Sequence, residues 1–169
     1  MTLSRLADYH ARISAAADRT EQIVRHAGED VPADLNGSRM MMAQLMGSYQ
    51  LFLHREIFEP VIAGGTPAEI VHAKSLKVEC VLFADELHSY MKSWNPADVQ
   101  ARWPSYRAAA LTVLGRIRIH MKRVERVVAG LALPDATPPE NMIPAVLAAQ
   151  QGRDFTGSAL PKPGGLTAR

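Results

Sequence analysis

The chain has 169 residues, 47% of them hydrophobic and 21% charged, with a formal net charge of +2. That length suits one domain with a real core plus a tail, and so small a net charge excludes a global field that would draw the chain to nucleic acid or an anionic membrane. No apolar run reaches the roughly 18 residues of a membrane-spanning helix, and the opening MTLSRLADYH lacks an apolar signal segment, so a cytoplasmic protein is expected.

Ser4 is the expected N-cap of a first helix running to about Ala27, with a core stripe of Leu3, Leu6, His10, Ile13, Ala17, Val24 and Ala27 at three- and four-residue steps. His10 therefore points inward, whereas His26, about 160° away around the helix, faces water. GEDVPADLNG, Gly28 to Gly37, is turn chemistry. The second helix, about Ser38 to Glu59, is apolar, small or uncharged almost throughout Met40 to Leu53. A helix without a wide polar face belongs in the middle of a bundle. Near its end come His54, Glu56 and Glu59, just before Pro60, which is expected to stop the helix.

After Gly64-Gly65, the run Thr66-Pro67-Ala68-Glu69 is a strong helix start, with a Thr cap, Pro in the first turn and Glu at the capping-box position. This third helix runs to about Trp94. Lys74, Lys77, Asp85, His88 and Lys92 mark its solvent side, and His72, Leu76, Glu79, Phe83, Leu87 and Tyr90 its inward one. Cys80, the only cysteine, removes the possibility of an intrachain disulfide or a thiolate zinc cluster and reads as a small buried hydrophobe. Asn95-Pro96-Ala97-Asp98 begins a short helical turn, with Trp94 and Trp103 clamping the connection to the bundle. Trp103-Pro104 then opens a fourth helix to about Leu131, with inward Tyr106, Ala110, Val113, Ile117, His120, Val124, Val127 and Leu131. Residues 133–169 carry Pro134, Pro138, Pro139, Pro144, Pro161 and Pro163, which predicts a proline-rich extension with one short helix near Glu140 to Gln151. The expected fold is all-α: an up-down-up-down antiparallel four-helix bundle over residues 1–132.

Antiparallel order also sets heights. Counted from the end where helix one begins, His10, His54 and His72 fall roughly 8 to 9 Å up and His120 roughly 16 Å up, at about 1.5 Å per residue. Each long helix thus sends one histidine toward the same half of the bundle, with Glu59 and Glu125 each five residues after its histidine. Imidazoles and carboxylates projecting into a bundle core are how such folds hold iron or manganese. A single inward histidine is more often a core residue bonded to a carbonyl or a Glu.

The whole pattern resembles the hemerythrin-like family of four-helix bundles. That family has a histidine on helix one and His-x-x-x-Glu on helix two. Helix three carries His-x-x-x-His, and helix four His-x-x-x-x-Asp or Glu. Here His10, His54, His72 in AEIVHAKSL, and His120 with Glu125 in IHMKRVE match, over about residues 3 to 131. The second-helix carboxylate would fall at Phe58, with Glu59 one residue further, and the second histidine of helix three at Leu76. The resemblance implies metal ligands at His10, His54, His72 and His120, with Glu125 and Glu59 as carboxylates. It implies iron, mononuclear or dinuclear, or no metal where hydrogen bonds among His and Glu fill the site. Oxygen or redox sensing, or iron handling, would follow from the first. A metal-free helical interaction or regulatory module that kept the fold would follow from the second.

Arg116, Arg118, Lys122, Arg123 and Arg126 lie along helix four. Without interleaved aromatics they read as a solvated face rather than a nucleic-acid site. Met40, Met41, Met42 and Met46 could line a yielding pocket, though core filling is the plainer reading. Glu79, too far above His72 to share a metal, is expected to pair with an Arg across the bundle. No nucleophile is placed with a base, and there is no Gly-rich phosphate loop, so no enzyme is expected. The partners implied are a metal ion or small ligand, with a homodimer or a protein partner left open, and no nucleic acid or membrane.

Overall fold

The computed structural model describes residues 2–131 and Leu133, and the expected short helix and proline-rich extension lie outside the described residues. The described chain is all-helical, in the order α1 (Thr2–His26), α2 (Leu35–Phe52), a π-helical segment π1 (Leu53–Phe58), α3 (Glu59–Gly64), α4 (Pro67–Ser93), α5 (Pro96–Ala101) and α6 (Trp103–Val128). No described helix is long and apolar enough to cross a membrane. Helix α1 packs on α2 and α6, α4 packs on α2, π1, α3 and α6, and α5 packs on α6.

Local chemistry explains the boundaries. Thr66 accepts from the Glu69 backbone N–H while the Glu69 carboxylate accepts from the Thr66 N–H at 2.8 Å, a complete capping box that starts α4. Asn95 caps α5 through the Asp98 N–H at 3.0 Å. On α1 the buried stripe is Leu6, His10, Ile13, Ala17, Thr20 and Val24, as the periodicity predicts, except that Leu3 in its first turn is exposed.

Two expectations for the second helix are corrected. Pro60 does not end it: the chain passes through π1 and continues to Gly64, with Pro60 in the first turn of α3, where a residue lacking an N–H is tolerated. Nor is the helix buried all round, because Met40, Met41 and Leu51 are each more than half exposed. Its core contacts follow the narrower stripe Met42, Leu45, Met46, Tyr49 and Phe52.

The core forms two clusters. The larger runs from Leu6 and Ile13 through Met46, Tyr49, Phe58, Leu76 and Cys80 to Ile117 and Val124. The smaller joins Val24, Leu35, Val99, Trp103, Tyr106 and Ala110. The expected tryptophan clamp is present around the smaller one. Trp103 Nε1 donates to the Gly28 carbonyl at 3.1 Å, tying the α1–α2 turn to α6, and the Arg102 guanidinium lies 4.4 Å from the Trp94 ring.

Candidate functional site

The site grows from His10, which α1 holds in its buried stripe at 7% exposure. Its Nδ1 lies 2.7 Å from Oε1 of Glu125 on α6, and its Nε2 lies 2.7 Å from the Tyr49 hydroxyl on α2. A carboxylate can only accept, so Nδ1 carries the hydrogen and donates to Glu125. Nε2 then accepts from the Tyr49 O–H. One side chain thus ties three helices together. Burial, and after it the Cys80 and Glu125 charges, push the Tyr49 phenol above its ordinary range, so the donor stays protonated.

His120, also buried, continues the cluster toward α4. Its Nε2 lies 3.5 Å from the Cys80 sulfur, and its ring packs on Phe83 with centroids 4.6 Å apart. Burial first and the Glu79 charge second push the Cys80 thiol up to about 12, so it meets the imidazole as a neutral thiol. Burial lowers the His120 pKa below its ordinary value, Glu79 pulls it back in part, and the nearby His10 lowers it further. Glu125, His10 and Tyr49 thus form one polar group and Cys80 with His120 another, with Tyr49 and Cys80 belonging to the larger core cluster.

The other sequence candidates lie elsewhere. His72 is exposed, not inward. The α4 stripe that meets the core is Ala73, Leu76, Cys80 and Phe83, and His72 precedes Ala73, which puts its side chain about 100° off that stripe. His54 is half-buried beside Phe58, with ring centroids 5.5 Å apart. Burial first, then the Lys77 charge, lowers its pKa, with Glu59 opposing. Glu59 is exposed and bonds Lys77 Nζ at 2.5 Å, which holds its carboxyl below the usual range. Glu79 pairs with Arg123 at 3.3 Å, the cross-helix arginine partner expected for it. Along the basic run of α6, Arg116 pairs with Glu86, and Arg118 with Asp18 and Glu21 at 2.7 Å.

The π segment accounts for the displaced carboxylate. A π turn closes its hydrogen bond over five residues instead of four, and here the Glu59 N–H donates to the His54 carbonyl. The extra residue is absorbed, and Glu59 comes round to the face of His54. That face is not the one carrying the cluster, because Tyr49 lies five residues before His54 on the regular part of the helix, about 140° away.

Sequence reasoning missed Tyr49 and Cys80. Both occupy inward stripe positions otherwise filled by hydrophobes, and the signal was the same as for His10: a polar group on an apolar face needs a partner. Among the described residues, no group of three or more His, Cys, Asp or Glu side chains is arranged to hold a metal ion. Nor do the donors fit the dinuclear centre that the resemblance implies. Two of its histidines point away from the cluster, and His10 already spends both ring nitrogens on Glu125 and Tyr49.

A cavity of about 360 Å³ lies between α2, α4 and α6, lined chiefly by Met42, Met46, Leu87, Met91 and Leu114, with Arg39 at one end. Comparison with protein-family models, with curated proteins and with solved structures finds no match for this chain.

Proposed function

We propose that the chain is a hemerythrin-like, up-down-up-down four-helix bundle whose interior polar cluster serves as a hydrogen-bonded lock rather than a metal centre. It then acts as a metal-free binding or regulatory module, without catalytic apparatus. The observation that carries this reading is His10, with one ring nitrogen on Glu125 and the other on Tyr49, each at 2.7 Å. A metal ligand needs a free ring lone pair, and here metal entry would cost the Tyr49 bond in a buried site. The chain order of α1, α2, α4 and α6, with short connections, supports the bundle arrangement.

A second reading has one observation in its favour: His120 lies close enough to His10 for the two to interact electrostatically. A single metal on His10, His120 and Glu125 would use that proximity only after side-chain rearrangement, because no described group of three such residues is arranged to hold an ion. Elemental analysis of protein purified without an affinity tag, before and after incubation with iron, manganese or zinc, separates the two. The lock predicts less than about a tenth of an equivalent with no rise on addition, whereas about one equivalent that disappears in His120→Ala would overturn it.

A further inference from the structure

The cavity between α2, α4 and α6 takes in members of both core clusters, Met46 and Ile117 from the larger, Tyr106 and Ala110 from the smaller. Its volume lies within the roughly 300–1,000 Å³ of small-molecule sites. Four of its lining residues are methionines, Met40, Met42, Met46 and Met91, flexible side chains that adapt to a ligand's shape.

Several polar side chains break the apolar lining, among them Arg39, Gln50 and His88. Arg39 is only 6% exposed. One terminal nitrogen donates to the Trp94 carbonyl, and its guanidinium lies 5.3 Å from the Tyr106 ring centroid. Its Nε has no hydrogen-bond partner, and neither has Nε2 of Gln50. Both residues line the cavity, and no described lining residue is a carboxylate. A buried guanidinium with only neutral company lacks the anion that buried charges ordinarily require. The unpartnered Arg39 Nε is a donor on a cation, so what satisfies it there brings an acceptor. Gln50 lies eleven residues after Arg39, on nearly the same face of α2 and roughly 16 Å along its axis.

We propose that this cavity binds a monocarboxylic acid with an elongated apolar body, its carboxylate on Arg39 and its body along the methionines. Arginine suits that head, because its planar fork matches a carboxylate in a way a lysine ammonium does not. The inference does not depend on the metal question and would stand if the His10 cluster proved to hold an ion.

Calorimetric titration of the full chain with decanoate, and in parallel with decanol as the uncharged body, tests it. Decanoate should bind saturably at about 1–100 μM, with decanol at least about tenfold weaker. Arg39→Met should erase that preference by the same factor. Because Arg39 also holds the Trp94 carbonyl, Ala84→Phe provides a second variant, filling the cavity from α4 without touching Arg39, and it should weaken decanoate at least about tenfold. The proposal is overturned if decanoate shows no saturable binding below about 1 mM, or if decanol matches it. It is equally overturned if either folded variant binds decanoate as the parent does.

Discussion

At the scale of single residues, His10 is a buried polar group fully satisfied by two partners from different helices. Removing one member of such a set costs more than the bond itself, because the remaining donor or acceptor stays buried and unpaired. Tyr49→Phe keeps the ring and leaves Nε2 of the buried His10 without its donor, at an expected cost of about 1–3 kcal/mol. His10→Ala should cost about 1–3 kcal/mol from the orphaned Tyr49 hydroxyl, with lost packing added. The double variant should fall short of the sum by at least about 0.5 kcal/mol, since the second change removes a group already orphaned. Urea unfolding of the four proteins measures this, and strict additivity would show that the two side chains do not bond. The pH dependence has a definite sign. Burial lowers the folded pKa of His120 below its ordinary 6.5, so the unfolded chain binds the proton more readily. Stability from this group is full above about pH 6.5 and drains away as pH falls from there toward the lowered folded value. His54, lowered by burial and Lys77, contributes with the same sign. Thermal midpoints at pH 7.5 and 5.5 should fall less in His120→Gln than in the parent.

At the scale of elements, the stripes of α1 and α6 were legible because each carries one apolar face that repeats at the helical period. The Thr66 cap was legible because its chemistry is local. The second helix was harder, because Met40, Met41 and Leu51 are as apolar as the residues they adjoin and periodicity alone could not say which face stays wet. The third misled for a similar reason: Val71, Val78, Val81 and Leu82 are exposed, giving α4 apolar residues outside its core stripe, and the inward register could be drawn through His72 or through Ala73. The π segment could not be read from spacing at all, since a one-residue insertion looks like a broken motif until the winding is known. It leads to a test. Deleting the exposed Arg55 removes the residue that π1 absorbs, so the segment can close as α-helix with the flanking packing kept, at a cost of about 1–2 kcal/mol. Deleting the exposed Ser48 from the regular α2 instead turns everything beyond it by about 100°, taking Ile57 and Phe58 from the core at more than about 4 kcal/mol. Circular dichroism and thermal unfolding of the two deletions distinguish these outcomes. Equal damage would mean that π1 is not an inserted residue.

At the scale of the whole molecule, the sequence showed an all-helical chain, but of the four histidines placed in one half of the bundle only His10 and His120 are buried. It did not show which partners they choose, because a bond such as His10 to Glu125 spans 115 positions and depends on the rotation of each helix. Tertiary packing sets that rotation, and local spacing does not record it. The same packing separates the tryptophan-clamped end from the histidine end, with the Arg39 cavity lined by residues of both. Trp103→Phe keeps most of the ring but removes the N–H that the Gly28 carbonyl accepts, at an expected cost of about 1–2 kcal/mol. Trp103 belongs to the smaller cluster, whereas His120 packs on Phe83 of the larger, so combining Trp103→Phe with His120→Gln should be additive within about 0.5 kcal/mol. The pH dependence of the single Trp103→Phe variant should match that of the parent. Urea midpoints at two pH values for this pair decide the matter. A coupling larger than about 0.5 kcal/mol would mean that the two ends communicate through the cavity wall. In that case a ligand seated on Arg39 would be felt at His120, and the lock at His10 would respond to what the cavity holds.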